Sequence, residues 1–253
     1  MQFLKRAISL IFSAYAFLVF LLLMFLLFPF VVIASFFGKI RGGNMIYDIC
    51  RFWADAAFFL WGIHHQNIYE TSLQNKHAVV FVFNHISYFD IPSWLKAIRH
   101  QHIRVLGKAE MTTIPIFGYI YRKGAILVNR EDAEQRKRSV QELKYFLAKN
   151  ISVVIAPEGT FNLSNRPLKS FYNGAFKIAI ETQTAIQPVI FPRSNERMDR
   201  KHALWLSPGK SEAVFLKEIQ TTGLTMNEVE YLKQKVYNVM EDALIRYKAN
   251  WIQ

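Results

Sequence analysis

The sequence predicts an α/β fold in which a central, mostly parallel sheet is flanked by helices, with an N-terminal hydrophobic membrane-anchoring helix or helical hairpin. Three observations lead there. Residues 7–38 contain no Asp, Glu, Lys or Arg. Beyond residue 75, short β-branched and aromatic runs alternate with helical periods, the pattern that builds parallel sheets. The composition of the 253 residues, 52% hydrophobic against 20% charged, is too apolar for a disordered chain and sufficient for one sizeable core. The expected division is an anchoring segment over 1–43 and one domain over 44–253.

Taking the elements in order, the 22 residues 7–28 would extend about 33 Å as a helix, close to the roughly 30 Å hydrocarbon core of a bilayer. Pro29 is expected to kink or end that helix, and the apolar residues after it are too few to cross alone. A single span and a re-entrant hairpin are therefore both open. Lys5 and Arg6 on one side and Lys39 and Arg41 on the other leave orientation unassigned. From 44 to 63, apolar residues at helical spacing, with Trp53 and Trp61, predict a helix that either lies at the membrane interface or covers the core. Strands are expected at 78–83, 103–106, 125–128, 151–156 and 186–191, with shorter ones at 203–206 and 213–216. Helices are expected over the charged run 131–149, at 170–182 and over 226–251, each with a buried apolar stripe.

The single Cys50 excludes an intrachain disulfide scaffold, so a reducing compartment is expected. With 31 basic and 19 acidic residues, the formal charge of +12 favours an anionic partner. Nucleic acid is not expected, because no zinc-finger spacing or other recognition motif is present. Basic residues beside an anchor are explained by anionic membrane lipids, worth about 1 kcal/mol each.

Ligands of open α/β sheets bind beyond the carboxyl ends of the strands. The residues just past the predicted strands are Asn84, His85 and Asp90, then Asn129 and Arg130, then Pro157, Glu158, Gly159 and Thr160. A histidine accepts a proton near neutrality, and a carboxylate on its other ring nitrogen fixes the tautomer and stabilises the imidazolium. The i, i+5 spacing suits this if His85 sits in a loop and Asp90 in the first turn of the next helix. No G-x-S-x-G, C-x-x-C or H-E-x-x-H accompanies the pair, which points to a base without a covalent enzyme intermediate. A structural role is also open: Ser87 capping the next helix with Asp90 completing a capping box.

In order and spacing, Asn84-His85-(four residues)-Asp90, Gly124-Ala-Ile-Leu-Val-Asn-Arg130, Pro157-Glu158-Gly159-Thr160 and Ile186-Gln187-Pro188-Val189 resemble the four sequence blocks of the glycerolipid acyltransferases. The 1-acylglycerol-3-phosphate acyltransferases are the nearest likeness. Lys108-Ala-Glu110, Pro115 and Phe117-Gly118 are also similar, so the resemblance covers roughly residues 75–195.

The resemblance implies that His85 takes the proton of the sn-2 hydroxyl, Asp90 orients His85, and the oxygen attacks an acyl thioester carried by coenzyme A or acyl carrier protein. It implies a lysophospholipid acceptor, with Arg130 on its phosphate and Asn84, Lys108, Glu158, Gly159 and Thr160 in the substrate site. No cofactor and no metal are implied. The implied setting is the inner, cytoplasmic membrane with the active site facing the cytoplasm. Where the family commonly has Arg after Glu-Gly-Thr, this chain has Phe161. Lys169, Lys123 or Lys108 would then supply the charge, or the acceptor is another lysolipid such as a lyso-aminolipid. A non-catalytic lipid-binding protein of the same fold is the third reading, against which the intact His85 and Asp90 stand.

Overall fold

The computed structural model of the protein describes residues 2–71, 77–129, 131–202 and 205–252, with side chains from residue 8 onward. Seven strands, β1 (Ile63–Tyr69), β2 (Val80–Phe83), β3 (Ile103–Lys108), β4 (Ala125–Val128), β5 (Ser152–Ile155), β6 (Ile186–Ile190) and β7 (Gly209–Phe215), form one sheet in the order β1-β7-β6-β2-β5-β3-β4. From β6 to β4 the strands are parallel, while β7 pairs antiparallel to β6 and parallel to β1. The mostly parallel sheet expected from the sequence is thus present. β2, β5 and β6 are buried along their whole length, which is why apolar residues dominate them, with Ser152 and Gln187 the polar exceptions.

Helices cover both faces of this sheet. Alternate strand residues Val80, Val82, Val153, Ile155 and Ile190 pack with α5 (Ala133–Ala148), α6 (Gly174–Glu181) and α8 (Val229–Arg246). Phe81, Phe83, Val154, Val189 and Phe215 pack on the other face with α2 (Gly43–Leu60) and α3 (Asp90–Ala97). The remaining helices are α4 (Phe117–Gly124) and the single turn α7 (Ser194–Arg197).

The N-terminal helix α1 (Gln2–Ser35) runs through Pro29 without ending there. Proline removes one hydrogen bond, and beyond it Val31 and Ala34 are buried against Ile46 of α2, which keeps the following turns helical. The hairpin forms later than the proline suggested, at a tight turn over 38–42 that reverses the chain into α2. At that turn an added Cβ on Gly42 would stand 2.4 Å from the carbonyl oxygen of Ala34, so only glycine permits the approach. The buried Arg104 of β3 pins the same turn, donating to the carbonyls of Lys39 (3.3 Å) and Ile40 (3.2 Å) and to Asn44 Oδ1 (2.9 Å). Its guanidinium lies 4.8 Å from the Phe146 ring, and burial pushes its pKa down to about 10.

Both halves of α1 touch the domain. Ser13 Oγ accepts from the Leu206 amide (3.2 Å), Trp61 Nε1 donates to the Ala16 carbonyl (3.1 Å), and Ser35 Oγ meets Tyr119 Oη (2.8 Å). The helix therefore lies along the flank of the domain. Its outer side, with Ile11, Leu18, Leu22, Phe25, Leu26, Phe30 and Ile33, is exposed and wholly apolar.

Two elements differ from expectation. β1 was not expected: the helix expected over 44–63 stops at Leu60, and Gly62, at φ +62, turns the chain into the strand. The short strand expected at 203–206 falls partly on residues outside the described set, and Leu206 makes an isolated antiparallel bridge with Met198.

Candidate active site

β2 leaves the sheet at Asn84, and the next residues form a tight turn into α3. At its centre Asp90 is fully buried, and its Oδ2 accepts three N–H groups: His85 Nδ1 (2.9 Å), the Ile86 amide (2.7 Å) and the Ser87 amide (3.0 Å). Ser87 Oγ in turn accepts from the Phe89 amide (3.3 Å). One carboxylate thus closes the turn and orients the histidine; the full capping box does not form, because α3 begins at Asp90 with Phe89 at its N-cap and no side-chain cap bond. With Nδ1–H committed to Asp90, the lone pair of His85 is on Nε2, the nitrogen a hydroxyl must reach, and the side chain keeps 20% of its surface open.

The loop after β5 grips the backbone of His85 from both sides. Glu158 Oε1 accepts the His85 amide (2.8 Å), and the Asn162 amide donates to the His85 carbonyl (2.7 Å). Glu158 Oε2 accepts the Lys169 amide (2.8 Å), so the carboxylate bridges two loops. Burial pushes the Glu158 carboxyl up to about 7; the two amide donors pull it down and the nearby Asp90 charge pushes it up. Gly159, at φ +72, makes the turn that lets the chain double back toward His85. The Asn162 side chain holds the rest of the loop, accepting from Ser164 and donating to the carbonyls of Arg166 and Pro167. Asn162 was not singled out from the sequence: an Asn in a Ser/Asn-rich stretch carries no local sign of a long-range role.

The other expected residues are distributed as follows. Asn84 is buried, its Oδ1 accepting the Phe191 amide (2.8 Å), so it ties the end of β2 to the end of β6. Thr160 is exposed beside the catalytic turn. Lys108 ends β3 at the same sheet edge, two strands from β2, and Asn129 follows β4, three strands away. At about 4.8 Å per strand these are separations of about 10 and 14 Å. Arg130 lies outside the described residues. Phe161 packs edge-on against the His85 ring (centroids 4.4 Å) and against Tyr88 (4.8 Å), so the position of the family's usual arginine is an apolar wall beside the histidine. The N-terminal hairpin reaches this turn too: Phe58 of α2 stacks on Phe89 (5.4 Å), in a cluster shared with Ala16 of α1.

A buried aspartate holding a part-exposed histidine at the carboxyl edge of an α/β sheet has the geometry of a general base. Residues 64–192 match the Acyltransferase family. The chain is 26% identical over 174 residues to the human 1-acyl-sn-glycerol-3-phosphate acyltransferase beta, covering 68% of this chain and 62% of that protein. It is 29% identical over 184 residues to lysophosphatidylcholine acyltransferase 1 of Danio rerio, covering 70% of this chain and 33% of that one. The chain thus spans less than two thirds of the length of these relatives. The crystal structure of the 1-acyl-sn-glycerophosphate acyltransferase PlsC from Thermotoga maritima superposes with a TM-score of 0.76 at 20% identity, covering 98% of this chain and all of that one. The chain belongs to the acyltransferase family.

Proposed function

We propose that the protein is a membrane-seated O-acyltransferase that moves a fatty acyl group from a thioester to the sn-2 hydroxyl of 1-acylglycerol-3-phosphate. The observation that carries this is the Asp90–His85 pair, with Nδ1 engaged at 2.9 Å and Nε2 left as the proton acceptor. The acceptor hydroxyl gives its proton to Nε2 as its oxygen bonds to the thioester carbonyl carbon. Asp90 stabilises the imidazolium. The tetrahedral intermediate then expels the thiolate, which takes the proton back from Nε2–H. The products are an ester and a free thiol, and His85 returns to its starting state. Glu158 and Asn162 are positioning residues for His85, while Arg130 and Lys108 are the cations proposed for the far side of the acceptor site.

The membrane seating rests on α1. A helix bonded to the domain at Ser13 and again at Ser35 offers its outer apolar face sideways, which suits a hairpin lying in one leaflet better than a perpendicular span. Lys39 and Arg41 at the turn and Arg122 and Lys123 on α4 would meet anionic headgroups there. An inner-membrane setting with the site facing the cytoplasm accords with the thioester donors, coenzyme A or acyl carrier protein.

A second acceptor, a lysolipid other than lysophosphatidate, is favoured by one observation: Phe161 stands on His85 where an arginine would bind phosphate. The test is acyl transfer by detergent-solubilised protein to lysophosphatidate, lysophosphatidylcholine and a lyso-aminolipid, with acyl-CoA and acyl carrier protein donors. Preference for lysophosphatidate supports the first reading, preference for another lysolipid the second, and no transfer to any acceptor refutes both.

A further inference from the structure

A groove of about 590 Å³ lies between the 164–171 segment and α8. Arg166, Lys169 and Lys233 line it, with the hydroxyls of Ser164, Ser170 and Tyr237. Lys233 is held in place by Asn173 Oδ1 (2.9 Å) and the Glu230 carboxylate (2.5 Å). The side-chain nitrogens of Arg166 and Lys169 have no hydrogen-bond or ion-pair partner among the described residues. Solvated cations on a mobile loop would be unremarkable, but this loop is tied down. Asn162 holds the Arg166 and Pro167 carbonyls, Trp251 Nε1 donates to the Pro167 carbonyl (3.4 Å), and Tyr237 Oη donates to the Leu168 carbonyl (3.4 Å). Leu168 and Phe171 are buried beneath it.

The groove also communicates with the catalytic turn. The Lys169 amide and the His85 amide are joined by the single carboxylate of Glu158. On the near side, Phe161 fills the space next to His85 with an aromatic ring and offers no charge. We propose that the groove binds the phosphate group of a phosphorylated substrate of the acyl-transfer reaction, through Arg166 and Lys169 with Lys233 contributing charge. This rests on the acyl-transfer reading and adds a phosphate subsite to it. A guanidinium and an ammonium whose nitrogens have no hydrogen-bond or ion-pair partner among the described residues, on a braced loop with Ser170 beside them, match a phosphate's several acceptor oxygens. The phosphate comes from either the acceptor or the nucleotide part of the donor, and the two sources are separable.

The experiment uses the full chain in detergent and the double variant Arg166→Gln/Lys169→Gln. In the acceptor arm, KM for lysophosphatidate is compared with KM for a monoacylglycerol. In the donor arm, KM for acyl-CoA is compared with KM for an S-acyl pantetheine, which lacks the nucleotide phosphates. The expected result is a KM rise of about tenfold or more for the phosphate-bearing member of one arm, with kcat within about twofold and the phosphate-free member unmoved. The charge-keeping variant Arg166→Lys/Lys169→Arg should retain most of the wild-type KM, and single Gln variants should show part of the effect should the double variant fold poorly by circular dichroism. Equal KM shifts for phosphate-bearing and phosphate-free members, or none in either arm, overturn the proposal. If no acyl transfer occurs with any pair, the acyl-transfer reading fails by itself. Equilibrium dialysis of lysophosphatidate and of coenzyme A then still reads the groove: binding lost in the double variant supports a phosphate site, and binding that is unchanged or absent from the wild type overturns it.

Discussion

Replacing Glu158 by Gln separates the two things this buried carboxylate does. In the wild type both oxygens accept main-chain amides at 2.8 Å, from His85 and from Lys169. Gln offers one oxygen, so one buried N–H loses its acceptor and faces an NH₂ group, at a cost of about 1 to 3 kcal/mol. The carboxylate also carries an electrostatic cost, because burial raises its pKa from 4.5 to about 7. For an acid whose folded pKa is raised, the folded state holds the proton more tightly. Stability is therefore highest below about pH 4.5 and falls as the pH rises through 7, by about 3 kcal/mol in total. The Gln variant has no such dependence at this site. It should be less stable than wild type at pH 5 by about 1 to 3 kcal/mol and equal or more stable at pH 8.5. Thermal unfolding of both proteins in the same detergent from pH 5 to 8.5 measures this, with kcat recorded alongside. Turnover should fall at every pH, since a base displaced by about 1 Å costs on the order of 10²-fold. Parallel stability profiles for the two proteins, or an unchanged kcat, would refute the strut and its raised pKa.

Other consequences follow from the same contacts. Arg104→Met leaves the Lys39 and Ile40 carbonyls and Asn44 without their guanidinium and should destabilise the protein by on the order of 3 kcal/mol, with Arg104→Lys recovering part, read by the unfolding midpoint. Replacing Leu22, Phe25 and Leu26 on the outer face of α1 by Gln should weaken liposome binding while the fold is kept, because these side chains are exposed. Unaltered flotation would contradict the in-plane seating. Deleting residues 1–38 should instead make the protein insoluble, since Ile46, Phe58 and Trp61 lose the helix that covers them. Phe161→Arg should raise kcat/KM for lysophosphatidate relative to lysophosphatidylcholine, and an unmoved ratio would remove Phe161 from acceptor choice.

The central strands were legible because β2, β5 and β6 are buried on both sides and so consist mainly of β-branched and aromatic residues. β1 was not, because an edge strand reading Ile-His-His-Gln-Asn-Ile-Tyr has little hydrophobic pattern; its place comes from seven register pairs with β7. The N-terminal apolar helix was plain from its lack of charge, but its course was not. Whether Pro29 breaks a helix depends on what packs around it, and the pairing of α1 with α2 depends on contacts from Ala34–Ile46 out to Ala16–Trp61, well beyond one helical turn. At the site, the His85–Asp90 contact was readable because the spacing suits a histidine in a loop and a carboxylate in the first turn of the next helix. Glu158 and Asn162 act on the backbone of His85 across more than 70 residues, and no local pattern encodes such a reach. Glu158 was expected in the substrate site; the structure shows it buried, with its two oxygens accepting the His85 and Lys169 amides.

The most direct measurement of the central claim is the single-turnover rate of acyl transfer by His85→Ala with lysophosphatidate and an acyl thioester, at saturating substrate and with the unfolding midpoint checked in the same preparation. His85 projects from a turn whose amide bonds to Asp90 at Ile86 and Ser87 do not involve the imidazole, so the variant should fold and bind membrane as the wild type does. Loss of the base should lower the rate by about 10²- to 10⁴-fold. A folded His85→Ala protein that keeps more than about a tenth of the wild-type rate would contradict the assignment of His85 as the base.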